Sequence, residues 1–390
     1  MHAMVASPPP KTVKSVNRDS ISQPTTLALF SRAAGRCQFR GCNDLLIEHH
    51  VTKGIGIFAE KAHIVAYSEK GPRGGEDRPA DINSLDNLML LCARCHKLVD
   101  DHPARYTVEN LRTDKVLHEE RIRRLTGLDQ NHETTVVVMK ARVGADIVQV
   151  TEGDVVDAIA PFYPDSNGFF TIDLTGIEGS GPEFYGAASK EIWRQLRRLM
   201  DRDRELKRLS LFAIGPMPAL MHLGNILSNK LPIELFQLHR DTKNWAWQSD
   251  HPPVEYEIQQ TRAGTDKSRV AIMLSLSGTI PEAALPASID ASYAVYVVTL
   301  ANGPPNPSFL KQRLDLQAFE AAYRELIASI VRDHGTIEVI ALFPAVPAPI
   351  AVACGHQLLP KIHPRLDVYD YDKRSGGFEF ALSVNGDRDL

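Results

Sequence analysis

Two cysteine clips constrain this chain more than any other feature. Cys92 and Cys95 stand two residues apart in NLMLLCARCHKLVDD (Asn87–Asp101), so both sulfurs can grip one metal ion from a single turn. The partner clip is Cys37 and Cys42, in GRCQFRGCND. Four thiolates around one ion form a closed, structural zinc site that pins segments together rather than reacting. The stretch between the clips is longer than a simple zinc ribbon allows, so it has to fold into something of its own. The fifth cysteine, Cys354, lies in the apolar run APIAVACG and reads as a small buried hydrophobe. Cysteines kept in clips suit a reducing compartment better than a disulfide framework, which makes a cytoplasmic location the expectation.

A chain of 390 residues is too long for one core, so two or three domains are expected. No apolar run is long enough to span a membrane, and the first residues lack the apolar centre of a signal peptide. The mildly negative net charge hides an asymmetry. Residues 1–130 carry about +3 and the remainder about −7, a split that allows a local basic face on the first part.

Residues 1–24 read as irregular. TTLALFSRAA predicts a short helix stopped at Gly35, and LLIEHHVTK with GIFAEKAHIVA predicts a hairpin leading into His63. A polar loop, EKGPRGGEDRPADINS, comes next, and Asn87–His102 is expected to begin extended and end helical. Thr107 caps a helix that stops at Gly127. The pattern breaks near Leu128–Glu133, giving a first domain over 25–127 and a second over 134–390.

Beyond Thr134 apolar strands alternate with amphipathic helices, the mark of an α/β unit with mostly parallel sheets. An internal repeat sharpens this. LFAIGPMPALMHLG (Leu211–Gly224) aligns without a gap on LFPAVPAPIAVACG (Leu342–Gly355), matching Leu211, Phe212, Pro216, Pro218 and Gly224 to Leu342, Phe343, Pro347, Pro349 and Gly355. The expectation is two Rossmann-like lobes, about 134–260 and 268–390, facing each other around a pseudo-two-fold axis.

Between the clips and directly after the second lies a set of residues suited to phosphodiester hydrolysis. His63, at a strand end, can deprotonate water for attack on phosphorus. His96, on the helix, can ligate Mg²⁺ or another divalent ion, which neutralises charge on the scissile phosphate. Asn87 can hold the His63 loop through its amide. In the HNH endonucleases that this order of His, Asn and His resembles, an acidic residue or His directly before the base often binds the ion too; here that position is Ala62, which leaves Glu60, Glu48, His49 and His50 as candidates for a second ligand.

Residues 25–105 resemble HNH endonucleases with a four-cysteine zinc frame. Residues 134–390 resemble a SAVED domain, a sensor of two fused CARF-like lobes, on the repeated P-x-P-x₅-G units, the W-x-W of RDTKNWAWQ and FPAVPAPIAVACG. Together the chain is similar to HNH–SAVED effectors of bacterial CBASS anti-phage systems. That resemblance implies an α+β nuclease domain of ββα-metal type with a four-cysteine zinc site, and an α/β SAVED domain behind it. It implies that a cyclic di- or trinucleotide from a partner nucleotidyltransferase binds the sensor, that copies associate as a dimer or tetramer, and that double-stranded DNA is then degraded with little sequence preference. It also implies a ligand pocket where the lobes meet, beyond the carboxyl ends of their strands. Pro216, Met217 and Pro218 and the turn with Pro344, Ala345 and Val346 are then expected near the ligand. Tyr163, Trp245, Trp247 and Phe309 become candidates to stack on bases, and Lys190, Lys311 and Arg313 to pair phosphates.

Two other readings fit parts of the pattern. One is a modification-dependent restriction enzyme whose second half reads DNA, which the acidic second half disfavours. The other is a zinc-stabilised DNA binder without activity, which has no use for a base beside a metal ligand.

Overall fold

The computed structural model describes residues 20–75, 78–142, 148–202, 206–228 and 231–386, so most of the expected irregular segment 1–24 lies outside the described residues. The chain divides into two compact units, Met1–Leu128 and Asp129–Leu390.

In the first unit, helix α1 (Gln23–Ala33) starts where the Ser22 hydroxyl accepts from the Thr25 amide at 3.2 Å, and it stops where Ala34 and Gly35 take up left-handed backbone. Strand β1 (Ala59–His63) pairs antiparallel with β2 (Leu88–Cys92), His63 opposite Leu88 and Ala59 opposite Cys92. Helix α2 (Ala93–Asp101) leaves β2 directly, and α3 (Val108–Thr126) follows, capped by Thr107. Every residue of β2 is buried, packed with Leu29, Ile64, Val99 and Leu111 into one core. The hairpin expected from LLIEHHVTK and GIFAEKAHIVA is reduced to one bridge, Glu48 to Ile55, and a few turn bonds. β1 takes β2 as its partner instead, because β2 offers a wholly apolar strand to bury against.

The second unit has two sheets. The first holds β3 (Glu133–Lys140), β4 (Tyr163–Pro164), β5 (Phe170–Asp173), β6 (Leu209–Ile214) and β7 (Ile233–Phe236), all parallel, with α4 (Glu152–Ile159), α5 (Gly181–Arg202) and α6 (Met217–Leu227) between them. The second holds β8 (Tyr256–Arg262), β9 (Val270–Ser275), β10 (Ala294–Leu300), β11 (Val339–Ala345), β12 (Arg365–Asp372) and β13 (Gly377–Val384), with α7 (Arg313–His334) and α8 (Ala348–His356). Its four central strands are parallel, and β8 and β13 are antiparallel edges. The first lobe was expected to run to about residue 260, but Tyr256–Arg262 belongs to the second sheet. The reason is geometric: Tyr256–Arg262 finds an open edge beside β10.

The two sheets repeat one plan. Leaving aside the two-residue β4 and the antiparallel edges β8 and β13, the four parallel strands run β5-β3-β6-β7 in the first and β10-β9-β11-β12 in the second, so each foursome reads second, first, third, fourth in sequence. Each has one 22-residue helix before its third strand, α5 or α7. The repeat then closes on itself at a helix crossing. A Cβ on Gly224 would stand 2.0 Å from Val352 O and 2.9 Å from His356 N; one on Gly355 would stand 1.9 Å from Met221 O and 2.9 Å from Asn225 N. In the repeat alignment Met221 corresponds to Val352 and Asn225 to His356, so the contacts are reciprocal, as a two-fold axis between α6 and α8 requires. Two helix backbones touch where the aligned glycines meet.

One methyl group at this crossing meets backbone, which cannot swing aside as a side chain can. Gly224→Ala is expected to cost about 3 kcal/mol or more, the upper end for overpacking. For a unit of this size that lowers the unfolding temperature by on the order of 10 °C, readable by calorimetry. An unchanged transition would mean that α6 and α8 do not pack this closely.

Candidate functional site

The four expected zinc ligands converge. The Sγ atoms of Cys37, Cys42, Cys92 and Cys95 all lie within 4.8 Å of one another, and Cys42 and Cys92 are 3.9 Å apart. Zn–S bonds of about 2.3 Å in a tetrahedron put sulfurs about 3.8 Å apart, so the cluster fits the ion. Local sequence explains the convergence. Cys92 ends β2 and caps α2, its Sγ accepting from the Cys95 amide at 3.4 Å, while its own amide donates to Cys37 Sγ at 3.4 Å. Gln38 bonds to Leu90 in both directions, N to O at 2.8 Å and Oε1 from N at 2.7 Å, so the first clip is sewn to β2. Burial pushes the Cys37 thiol up to about 12 and also raises Cys95. Burial works to raise Cys92 as well, but the Cys95 amide and the neighbouring thiols prevail and lower it. A cation is what makes four thiolates tolerable in such a place.

His63 is half-buried at the end of β1, with its Nε2 2.9 Å from Asn83 Oδ1. An amide oxygen can only accept, so Nε2 carries the proton of the neutral ring and Nδ1 keeps the lone pair. Asn87 is fully buried. Its Oδ1 accepts from Val65 N at 2.9 Å, and its Nδ2 donates to Val65 O at 3.0 Å and Ile82 O at 2.9 Å. This amide therefore clamps the backbone two residues beyond His63. His96 sits on α2, half-exposed, with Nε2 3.3 Å from Asp100 Oδ2.

Among the described residues, none of the four candidates for a second metal ligand forms a group of three or more potential ligands with His96. Glu60 is three residues from His63 on β1, hence on the opposite face of the strand. Glu48 pairs with Lys53 at 3.1 Å. His49 Nδ1 is held by Thr52, and its ring packs on His50 and Phe58. Among the described residues, the four cysteines are the sole group of three or more His, Cys, Asp or Glu able to hold an ion together. The acidic group beside His96 is Asp100, four residues on along the same helix face. That spacing was visible in the sequence. Asn83 and Arg73, both in the polar loop, carried no such signal.

In the second unit, two cavities lie beyond the carboxyl ends of the parallel strands. One, of about 530 Å³, is lined by Arg142 after β3, Pro216 after β6, Tyr185, Asp370, Arg374 and Glu379. The other, of about 470 Å³, is lined by Gly278 and Thr279 after β9, Pro344 and Ala345 at the end of β11, and Phe378. Tyr371 lines both. In the first cavity the Tyr185 hydroxyl donates to Asp370, and burial raises both groups above their ordinary pKa ranges.

Several of the other residues expected at the ligand are buried or have partners within the fold. Trp245 is 2 % exposed and packs edge-on against Phe212; Phe309, Pro218 and Val346 are also buried. Trp247 Nε1 donates to Leu235 O at 3.2 Å, and Tyr163 Oη to Asp129 O at 3.1 Å. Lys311 is ion-paired with Asp241, which it holds well below the usual carboxylate range, and Arg313 with Glu234. Lys190 is exposed on α5, and Met217 opens α6, half-buried against the core.

Residues 37–103 match the profile of an HNH endonuclease. Residues 192–384 match that of SAVED, the SMODS-associated and fused to various effectors sensor domain. No curated protein matches the chain. Among solved structures, it is similar to the Acinetobacter baumannii Cap4 SAVED/CARF-domain containing receptor with the cyclic trinucleotide 2'3'3'-cAAA, at 11% identity over 75% of this chain and 61% of that one, with a TM-score of 0.43. The same receptor with 3'3'3'-cAAA gives 11%, 75%, 62% and 0.46, and the Moraxella osloensis Cap4 receptor 12%, 75%, 60% and 0.40. The chain spans about three fifths of the length of these receptors. The class is therefore an endonuclease domain fused to a sensor domain. In particular, this chain carries an HNH endonuclease domain followed by a SAVED domain. No helix among the described residues is long and apolar enough to cross a membrane.

Proposed function

We propose that this chain is a metal-dependent endonuclease switched on by a cyclic oligonucleotide, acting in anti-phage defence. The observation that carries this reading is the pairing, on one chain, of the His63, Asn87 and His96 constellation beside a four-cysteine cluster with an α/β unit holding two cavities that share Tyr371. The first domain would be of ββα-metal type, β1 supplying His63, the 3₁₀ turn just before β2 supplying Asn87, and α2 supplying His96. The second would be two CARF-like lobes from a duplication, supported by the shared strand order and the reciprocal glycine contacts.

In this reading Zn²⁺ occupies Cys37, Cys42, Cys92 and Cys95 and holds the first clip to α2. His63, with its proton kept on Nε2 by Asn83, takes the water proton at Nδ1. Asn87 keeps that ring in place by fixing the chain at Val65. His96 holds Mg²⁺ or a similar ion, which supplies charge neutralisation at the scissile phosphate. Contacts to phosphate carry affinity without sequence information, so double-stranded DNA would be cut with little preference. Control would then rest on the second domain. A cyclic di- or trinucleotide made by a partner nucleotidyltransferase would enter the two cavities that share Tyr371, and bound copies would associate and bring their nuclease domains together.

The test is plasmid cleavage in Mg²⁺ with and without a panel of cyclic di- and trinucleotides. Cleavage with one ligand only is the expected result. Cleavage independent of every ligand would sink the sensor reading and favour a restriction-type enzyme.

A further inference from the structure

Arg73 is a charged residue in the polar loop, yet its side chain is only 1 % exposed. It adopts left-handed backbone, φ 57°, uncommon for a residue with a side chain. The next residue is packed so tightly that a Cβ on Gly74 would stand 2.3 Å from Ser68 O. A buried guanidinium is costly unless its donors are satisfied, and a strained turn adds to that cost. Three of its donors are spoken for. Nε donates to Ile64 O at 2.8 Å, Nη1 to Val99 O at 2.7 Å, and Nη2 to Asp100 Oδ1 at 2.8 Å.

The choice of acceptors is informative. Ile64 directly follows His63, and Val99 and Asp100 lie one turn beyond His96. One rigid fork thus ties the strand end that carries His63 to the helix that carries His96. The other oxygen of Asp100, Oδ2, is the one 3.3 Å from His96 Nε2. With its Oδ1 held by Arg73, Asp100 cannot turn away from His96.

We infer that Arg73 is a positioning residue of the nuclease site: it fixes the His63 strand end against the His96 helix and, through Asp100, fixes the His96 ring for the divalent ion. This rests on the metal-dependent nuclease reading, and it adds a brace that neither histidine could supply. Lysine is no substitute, because an ammonium is a point charge and cannot reach three acceptors in a fork.

The experiment is a double-mutant cycle in Mn²⁺ affinity, measured calorimetrically on the full chain without DNA, with His96→Ala as the blank and unfolding temperature recorded for each variant. Asp100→Asn keeps an acceptor for Arg73 but removes its counter-charge, so it should unfold at a lower temperature yet stay folded at 25 °C, and bind Mn²⁺ about 10- to 100-fold more weakly, the usual loss when a partner of a metal-binding histidine is changed. Arg73→Lys should weaken binding similarly, and the double variant should be no weaker than Arg73→Lys alone, since both act along one line. Full additivity, or Mn²⁺ bound by Asp100→Asn as tightly as by the unaltered chain, overturns the inference while leaving the nuclease reading intact. Should Arg73→Lys fail to fold, the Asp100→Asn result still decides. Failure of the unaltered chain to bind Mn²⁺ above the His96→Ala blank would remove the metal-dependent reading and this inference with it.

Discussion

Cys92→Ala is expected to unfold the HNH domain and leave the SAVED domain folded. The signature is rapid proteolysis within residues 20–128 and survival of a fragment covering the second unit. Cys92 is the residue where the first domain's parts meet. It is the last residue of the buried strand β2, the cap of α2, and a neighbour of all three other sulfurs. The core around it is small, and the segment from Gly35 to Phe58 is held by turns and isolated bridges rather than by a sheet. With zinc in the four-cysteine cluster, a domain so built would lean on its metal. Structural zinc in small domains contributes about 10–16 kcal/mol of apparent binding free energy, more than such a core can replace. Prolonged chelation should reproduce the variant. A soluble Cys92→Ala protein that still cuts DNA would dispose of the zinc assignment.

His63→Ala is expected to slow DNA cleavage by about 10²- to 10⁴-fold, the range for loss of a general base. The ring is half-buried and makes one strong hydrogen bond, to Asn83, so unfolding temperature, cyclic-nucleotide binding and assembly should stay as they were. That separation is the informative part. A variant that also loses assembly would make His63 a structural residue, whereas one that assembles and stays silent assigns it to the chemistry. Asn87→Ala should behave differently, because its amide is buried and makes three bonds to backbone; loss of activity there should come with loss of stability.

The cavities of the second unit show what residue type alone does not place. Aromatic and basic side chains were expected at the nucleotide, yet Trp245 is core and Lys311 and Arg313 are ion-paired across the fold. Tyr185, Asp370 and Tyr371 line the cavities instead. Nothing local distinguishes a tyrosine that faces a cavity from one that faces a core, because the difference lies in what the neighbouring elements leave unfilled. Pro216, Pro344 and Ala345 line cavities, since a turn at a strand's carboxyl end is placed there by the topology itself.

Short-range chemistry made much of this protein legible in sequence. The four cysteines have one economical partner, a metal ion, so their spacing alone predicted their convergence. Apolar runs of strand length announced the sheets, and the aligned prolines and glycines announced the repeat. The tertiary structure decided what depends on distant partners. It sent β8 to the second sheet, because an edge takes whichever strand can satisfy its open backbone groups. It brought Gly224 and Gly355 to one crossing, where only the absence of a side chain lets two helices touch. And it drew Arg73 out of a polar loop to lie between two histidine-bearing segments, a role set by three acceptors that come together only after the chain has folded.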